Sequence, residues 1–257
     1  MSNSRPPEES VWVRAYAVNH PPSVHIPARC FERWGQFTFA THGAMQVEAL
    51  QRTWVVMPHQ ALWIPPGVSH QIRMSGEVHV RTLFFAKHFT RQRVSDSVVP
   101  MEVSPLLREL VLHITSVGPL HRNRPAHRRL AQVTLEQLEV SPGRPLQLPM
   151  PKDPRARRAT QLLMAPGTDR SLATVAKLSG ASPRTLERLF RKETSLGFGR
   201  WRAKATAFCA LQDLASGAST SEVAFRCGYS SASAFIAAFK RELGLPPQAY
   251  VHRTANR

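Results

Sequence analysis

Arg184 and Arg188 stand four residues apart, with Glu187 beside them, in a stretch whose apolar residues Leu186, Leu189 and Phe190 take the opposite helical phase. Two guanidiniums on one exposed helix face suit bidentate pairing with guanine O6 and N7, which discriminates between bases by roughly 1–3 kcal/mol per pair. A carboxylate at Glu187 suits acceptance from cytosine N4. A later stretch offers Ala232, Ser233 and Ala237 in comparable exposed positions. Alanines can meet only thymine methyls, and Ser233 reads ambiguously. The expected base contacts are therefore Arg184, Glu187, Arg188, Ala232, Ser233 and Ala237, with the first stretch carrying most of the information. Arg191, Lys192, Arg200, Arg202, Lys240 and Arg241 are expected on phosphates, with the amide groups near Ser182 and Ser231. A second group of chemically able residues, Cys30, Glu32, Gln36 and His70, lies in the first third of the chain. Thiolate, carboxylate and imidazole all bind a divalent metal. The favoured expectation is that His70 hydrogen-bonds a strand end and that no cofactor is required.

The elements that must position these residues can be read from the same sequence. Val175-Ala176 and Gly180 recur 48 residues later as Val223-Ala224 and Gly228. Phe190 and Lys192 recur 49 residues later as Phe239 and Arg241, so one extra residue falls in the turn. In each copy a short apolar helix face precedes a glycine able to take the left-handed conformation. A serine then serves as N-cap, Ser182 (followed by Pro183) or Ser231, and opens a second helix. Short helix, glycine turn and capped second helix is the helix-turn-helix pattern. Between the copies, Trp201, Ala205, Phe208, Leu211 and Ala215 recur at helical spacing. A helix of about 18 residues is roughly 27 Å long. It could set two reading helices about one DNA turn apart, in two successive major grooves of a duplex.

The segment SLATVAKLSGASPRTLERLFRKETSLGFGRWR, continued by SEVAFRCGYSSASAFIAAFKRELGLPPQAY, resembles the DNA-binding domain of AraC-type transcription regulators. The resemblance runs from about Pro154 to Tyr250, and GYSSASAF with FKRELGLPP is its most specific part. Thr206, Ala207 and Cys209 replace basic or large apolar residues usual in that family, and Asp213 stands where leucine is common. A slightly weaker core for the spacer helix is expected from these departures.

Residues 1–100 have a different texture. VWVRAYAV, FTFAT, MQVEAL, TWVVM, ALWIP and VHVRTLFF are short runs of strand formers separated by turn residues such as His42-Gly43, Pro58-His59-Gln60 and Ser75-Gly76. Many short strands at close spacing argue a β-sandwich or barrel. RWGQFTFATHGAMQVEALQRTWVVMPHQALWIPPGVSHQI resembles the small cupin domain that precedes the reader in many AraC-type proteins, a jelly-roll barrel able to hold a ligand. Pro65, Gly67 and His70 match the later part of the cupin pattern, and Gln36 and Gly43 fit the earlier part. Cys30 and Glu32 occupy the positions of its H-x-H pair, which disfavours a divalent metal. His20 and His25 read as an exposed, proline-rich loop.

The expected architecture is a two-domain α+β chain. A cupin-like sensor barrel spans 1–100 and a helical connector 101–140. A linker follows over 141–153, and the all-α double helix-turn-helix domain covers 154–257. In the connector, Leu106, Leu107, Leu110, Val111 and Ile114 form one apolar face, and Leu130, Val133, Leu135 and Leu138 another. These faces cover the barrel or pair two protomers as a homodimer. Lys and Arg number 34 against 17 Asp and Glu, with 18 and 7 of these in residues 151–257. That asymmetry favours a polyanionic partner. Three separated cysteines fit free thiols in a reducing compartment. MSNSRPPEES lacks the pattern of a signal peptide, and no apolar run reaches membrane length, so a cytoplasmic protein without a membrane partner is expected. The functional expectation is sequence-specific DNA binding in transcription regulation, responsive to an unknown small-molecule effector, with RNA polymerase as a further partner if the chain activates. Two rivals are a cupin metalloenzyme, a dioxygenase or isomerase with an appended helical domain, and a basic scaffold without sequence preference.

Overall fold

The computed structural model describes residues 10–58, 60–74, 76–139, 147–164 and 171–255. His59, Ser75 and the first six residues of the expected linker, 141–146, lie outside them. Alternating apolar and polar residues build β1 (Val11–His20), β2 (Val24–Arg29), β3 (Trp34–His42), β4 (Met45–Ala49), β5 (Arg52–Val56), β6 (Gln60–Ile64), β7 (His70–Met74) and β8 (Val78–Ala86). A short helix α1 (Lys87–Thr90), strand β9 (Val99–Glu102), helix α2 (Pro105–Val117), strand β10 (Leu120–His121) and helix α3 (Pro125–Glu139) follow.

The strands form two antiparallel sheets. One has the order β10-β1-β8-β3-β6-β9, and the other is built from β5-β4-β7-β2 with one further strand at its edge. The expected barrel is not closed: the strands divide into two separate sheets, with β2 at the edge of the smaller one. His25 lies in β2 and not in a loop, and β7 also escaped the sequence pattern. Pro27 inside β2 and the Pro65-Pro66-Gly67 turn before β7 mask the alternation. Pro27 fits an edge strand, where an outward backbone N–H is not needed.

Residue parity assigns the faces. On β3, Phe37 and Phe39 pack with Leu107, Val111 and Ile114 of α2 and Ala131, Leu135 and Leu138 of α3. Ala40 on the opposite face packs with Val47, Trp54, Ile72 and Met74 of the second sheet. The connector helices therefore cover the outer face of the larger sheet. Leu106 and Val133 stay exposed on them.

The chain crosses to its helical part through β11 (Gln147–Pro149), which pairs with β5 and buries Leu148. Part of the expected linker is thus a strand. Helices α4 (Pro154–Met164), α5 (Leu172–Ser179), α6 (Pro183–Thr194), α7 (Phe198–Ala215), α8 (Thr220–Arg226), α9 (Ala232–Leu243) and α10 (Pro247–Ala255) complete the fold. Trp201, Phe208 and Leu211 of α7 share one apolar cluster with Phe190 of α6, Phe235 and Phe239 of α9, Val55 of the smaller sheet and Met57 just after β5. The β-rich and helical parts are joined by packed side chains. No helix among the described residues is long and apolar enough to cross a membrane.

Candidate nucleic-acid interface and effector site

The two helix pairs have the same local build. Ser182 Oγ accepts from Thr185 N at 3.1 Å, with Pro183 following the cap. Ser231 Oγ accepts from Ala234 N at 3.2 Å. Gly180 and Gly228 both take positive φ, 72° and 82°, and the amide after each donates back into the preceding helix, Ala181 N to Ala176 O and Tyr229 N to Ala224 O. A side chain at either position would be strained, which is why glycine marks both turns. The first helices are capped as well, α5 by Ser171 and α8 by a reciprocal Ser219–Glu222 capping box. The S-x-x-E spacing of that box is legible in the sequence itself.

Arg184 and Arg188 are exposed on the N-terminal half of α6, while Leu186, Leu189 and Phe190 are buried. Shifted by 49 residues, these arginines fall on Ser233 and Ala237, both exposed on α9; Ala232 is half-buried. Arg191, Lys192, Arg200, Lys240 and Arg241 are exposed, and Arg202 is half-buried. Ser182 and Ser231 present the first amides of α6 and α9 rather than free hydroxyls. Glu187 has a structural role beside the expected one. It is half-buried, and its Oε2 accepts from Phe198 N at 3.2 Å, capping the start of α7. Glu193, at the end of α6, accepts from Lys152 N and Asp153 N and so anchors the approach to α4. Both carboxylates brace α6 against its neighbours. Thr206 and Ala207 are buried in α7, and Asp213 pairs with Arg226 of α8 at 3.5 Å. The substitution of polar for apolar at Asp213 thus ties α7 to α8.

The second constellation divides into two pairs. Cys30 and Glu32 are exposed, and the Cys30 thiol donates to Glu32 Oε1 at 3.3 Å. That hydrogen bond holds the thiol above its ordinary pKa, so the neutral form is favoured over the metal-binding thiolate. Gln36 and His70 are buried and share face parity with the residues between the sheets. His70 donates through Nδ1 to Val68 O at 3.1 Å, and burial pushes its pKa down. A neutral imidazole that donates at Nδ1 carries a bare acceptor at Nε2. His70 Nε2 and Gln36 Oε1 are both buried without a hydrogen-bond partner. Phe31 links their surroundings: its ring lies 6.1 Å from that of His70 and 4.8 Å from that of Phe84, the register partner of Gln36. Among the described residues, no three His, Cys, Asp or Glu side chains are grouped to hold a metal ion.

Comparison with known proteins decides the family. A family model described as a helix-turn-helix domain matches residues 175–253. The HTH-type transcriptional regulator NimR of Escherichia coli K12 is 34% identical over 222 residues, covering 86% of this chain and 81% of NimR. The chain belongs to the AraC-type transcription regulators. The HTH-type transcriptional regulator RipA of Corynebacterium glutamicum is 36% identical over 103 residues, 40% of this chain and 31% of RipA. Among solved structures, the C-terminal domain of AraT from Geobacillus stearothermophilus is 28% identical, covering 39% of this chain and 86% of that one, with a TM-score of 0.36. ToxT from Vibrio cholerae is 9% identical, covering 97% of this chain and all of that one (100%), with a TM-score of 0.41. The family model and the likeness to NimR make this chain a DNA-binding regulator of transcription, and on them the metalloenzyme alternative is set aside.

Proposed function

We propose that this regulator reads its operator mainly through α6, with Arg184 and Arg188 on base edges in one major groove. The helix α9 enters the next groove and chiefly positions the duplex. Ala232, Ser233 and Ala237 make shape and methyl contacts there. Arg191, Lys192, Arg200, Arg202, Lys240 and Arg241 meet phosphates, as do the amides capped by Ser182 and Ser231. Glu187 keeps α6 in register with α7, so any pairing with cytosine falls to its other oxygen. The observation that carries this reading is the pair of like-built helix units on either side of one 18-residue helix, with exposed arginines on the first and alanines on the second.

The residues fall into a ligand-sensing cupin-like part over 1–100, a connector over 101–140, a linker over 141–153 and a double helix-turn-helix reader over 154–257. The effector occupies the space between the sheets without a metal, donating hydrogen bonds to Gln36 Oε1 and His70 Nε2. Cys30 and Glu32 lie outside that contact. Leu106, Val117 and Val133 are the large apolar residues of the connector open to a second protomer in a homodimer, and an activating form would also meet RNA polymerase, in the cytoplasm. Selection of the purified protein against random duplex DNA at physiological salt tests the reading, with an Arg184→Ala/Arg188→Ala variant alongside. The expected motif has two blocks about one turn apart, roughly 34 Å, and the variant degrades only the block read by α6. Binding without any enriched motif, lost smoothly as salt rises, would overturn it.

A further inference from the structure

Beside the apolar packing of Val55 and Leu148, part of the outer face of the smaller sheet meets α4 through polar side chains. Met45, Val47 and Ala49 of β4 point to the intersheet core, so Gln46 and Glu48 take the other face, with Thr53 of β5 and Gln71 and Arg73 of β7. A cavity of about 220 Å³ lies between these residues and Arg157, Thr160 and Gln161 of α4. A hydrogen-bond chain crosses its wall. His25 Nε2 donates to Gln71 Oε1 at 3.1 Å, and Gln71 Nε2 donates to Glu48 Oε2 at 2.6 Å. Arg157 then donates to Glu48 Oε1 at 3.0 Å. The chain thus runs from the edge strand β2 to the first helix after the linker.

Charge in this cavity is unbalanced. Two guanidiniums, Arg73 and Arg157, face one carboxylate, and both oxygens of that carboxylate are already engaged. Beyond its backbone pairing in β7, the Arg73 side chain makes no ion pair or hydrogen bond among the described residues. Guanidiniums recognise carboxylates by paired N–H donors. The remaining wall supplies groups suited to ligand hydroxyls from Thr53 and Gln161, beside the side chains of Met150 and Met164, while the Gln46 amide already donates to Gln212 Oε1 at 2.7 Å. The volume is below the range of drug-sized sites, about 300–1,000 Å³, and matches roughly seven waters at their liquid share of about 30 Å³.

We propose that this cavity is a second ligand site, separate from the intersheet space, that takes a small hydroxylated carboxylic acid. The carboxylate pairs with Arg73 of the β-rich part and draws Arg157 of α4 away from Glu48. The acid then bridges the two parts of the chain. Because it touches both, it binds the docked arrangement better than an undocked one, and linkage carries that difference to DNA affinity. The site itself does not depend on which bases α6 reads.

Isothermal titration of the full chain with D-gluconate and with L-tartrate, and with uncharged sorbitol as control, tests the proposal. At least one acid is expected to bind saturably at one per chain, with sorbitol at least tenfold weaker. Arg73→Gln and Arg157→Gln each weaken that acid at least tenfold while leaving the far-ultraviolet circular dichroism unchanged, since both side chains are exposed. Saturating acid shifts affinity for a fixed duplex at least threefold in the parent chain and not in Arg157→Gln. No saturable binding of either acid, equal binding by both variants, or binding without a shift in duplex affinity would each overturn the proposal. A failed DNA selection would leave the titration result standing, so the two readings fail separately.

Discussion

Glu187 and Arg188 are neighbours in sequence with different work, and one substitution at each separates them. The Glu187 carboxylate caps α7 through Phe198 N, whereas Arg188 is exposed. Losing a helix cap costs about 0.5–2 kcal/mol, so Glu187→Ala should lower unfolding stability by that amount in a denaturant titration. Arg188→Ala should leave stability within about 0.5 kcal/mol, as surface substitutions do. Its loss should appear in DNA specificity instead, about 1–3 kcal/mol at one base pair. An unchanged midpoint for Glu187→Ala would return that residue to the duplex. His70 gives a pH-dependent prediction. Burial lowers its folded pKa below the ordinary 6.5, so the unfolded chain takes up a proton that the folded chain refuses. Its contribution is complete above about pH 6.5 and is lost as pH falls through the folded pKa, at up to about 1.4 kcal/mol per pH unit for one proton. His20 and His127 are lowered in the same sense. The test is therefore the difference between the parent chain and His70→Gln in melts from pH 7.5 to pH 5.5. The parent should lose stability more steeply; parallel curves would rule the buried imidazole out as a source.

Elements were legible where one physical signal dominated. The helices of the repeat announce themselves through period, serine caps and glycine turns, and α7 through an uninterrupted run without proline. Strands β2 and β7 were hidden, because a strand on a sheet edge or after a proline turn need not alternate cleanly. The same limit divided the candidate effector residues. Sequence placed Cys30 and Glu32 with Gln36 and His70, but the first pair lies where the chain turns from β2 to β3, outside the sheets, and only the second pair is carried on strands facing the interior. Nothing in a linear pattern reports the partnerless state of two buried acceptors, since it depends on what packs across the gap. Gly35 was also silent. A Cβ there would stand 2.2 Å from Trp63 Cη2, and the Trp63 ring is buried and held by its Nε1 donating to Ser95 O at 2.8 Å. Gly35→Ala should therefore destabilise the larger sheet by about 1–3 kcal/mol, the usual cost of overpacking. Chemical denaturation would read this as a lower midpoint with an unchanged slope, and a neutral result would mean that β3 shifts freely against β6.

Across the protein, charge and apolar packing have opposite reach. Packing links the smaller sheet to α7 and α4 over contact distance, through Val55, Met57, Leu148 and the Trp201 Nε1 bond to Pro149 O at 2.7 Å. The excess of cations acts over a Debye length of about 8 Å at physiological salt, and its effect on DNA is countable. Each phosphate neutralised releases counterions, so the logarithm of the binding constant falls with the logarithm of salt at about 0.9 per contact. Six side chains are assigned to phosphates here: Arg191, Lys192, Arg200, Arg202, Lys240 and Arg241. The slope expected from them is about −5 on B-DNA. Lys240→Ala should make that slope shallower by about 1 and weaken every duplex by the same factor. Arg188→Ala, if its guanidinium sits on a base edge, should leave the slope nearly unchanged and weaken the preferred duplex most. Affinity measured over a salt series for both variants, on the selected operator and on a scrambled duplex, separates the two roles. Equal slope changes for both would mean that α6 and α9 grip the backbone alike, and that sequence preference arises from DNA shape across the span set by α7 rather than from arginine on base edges.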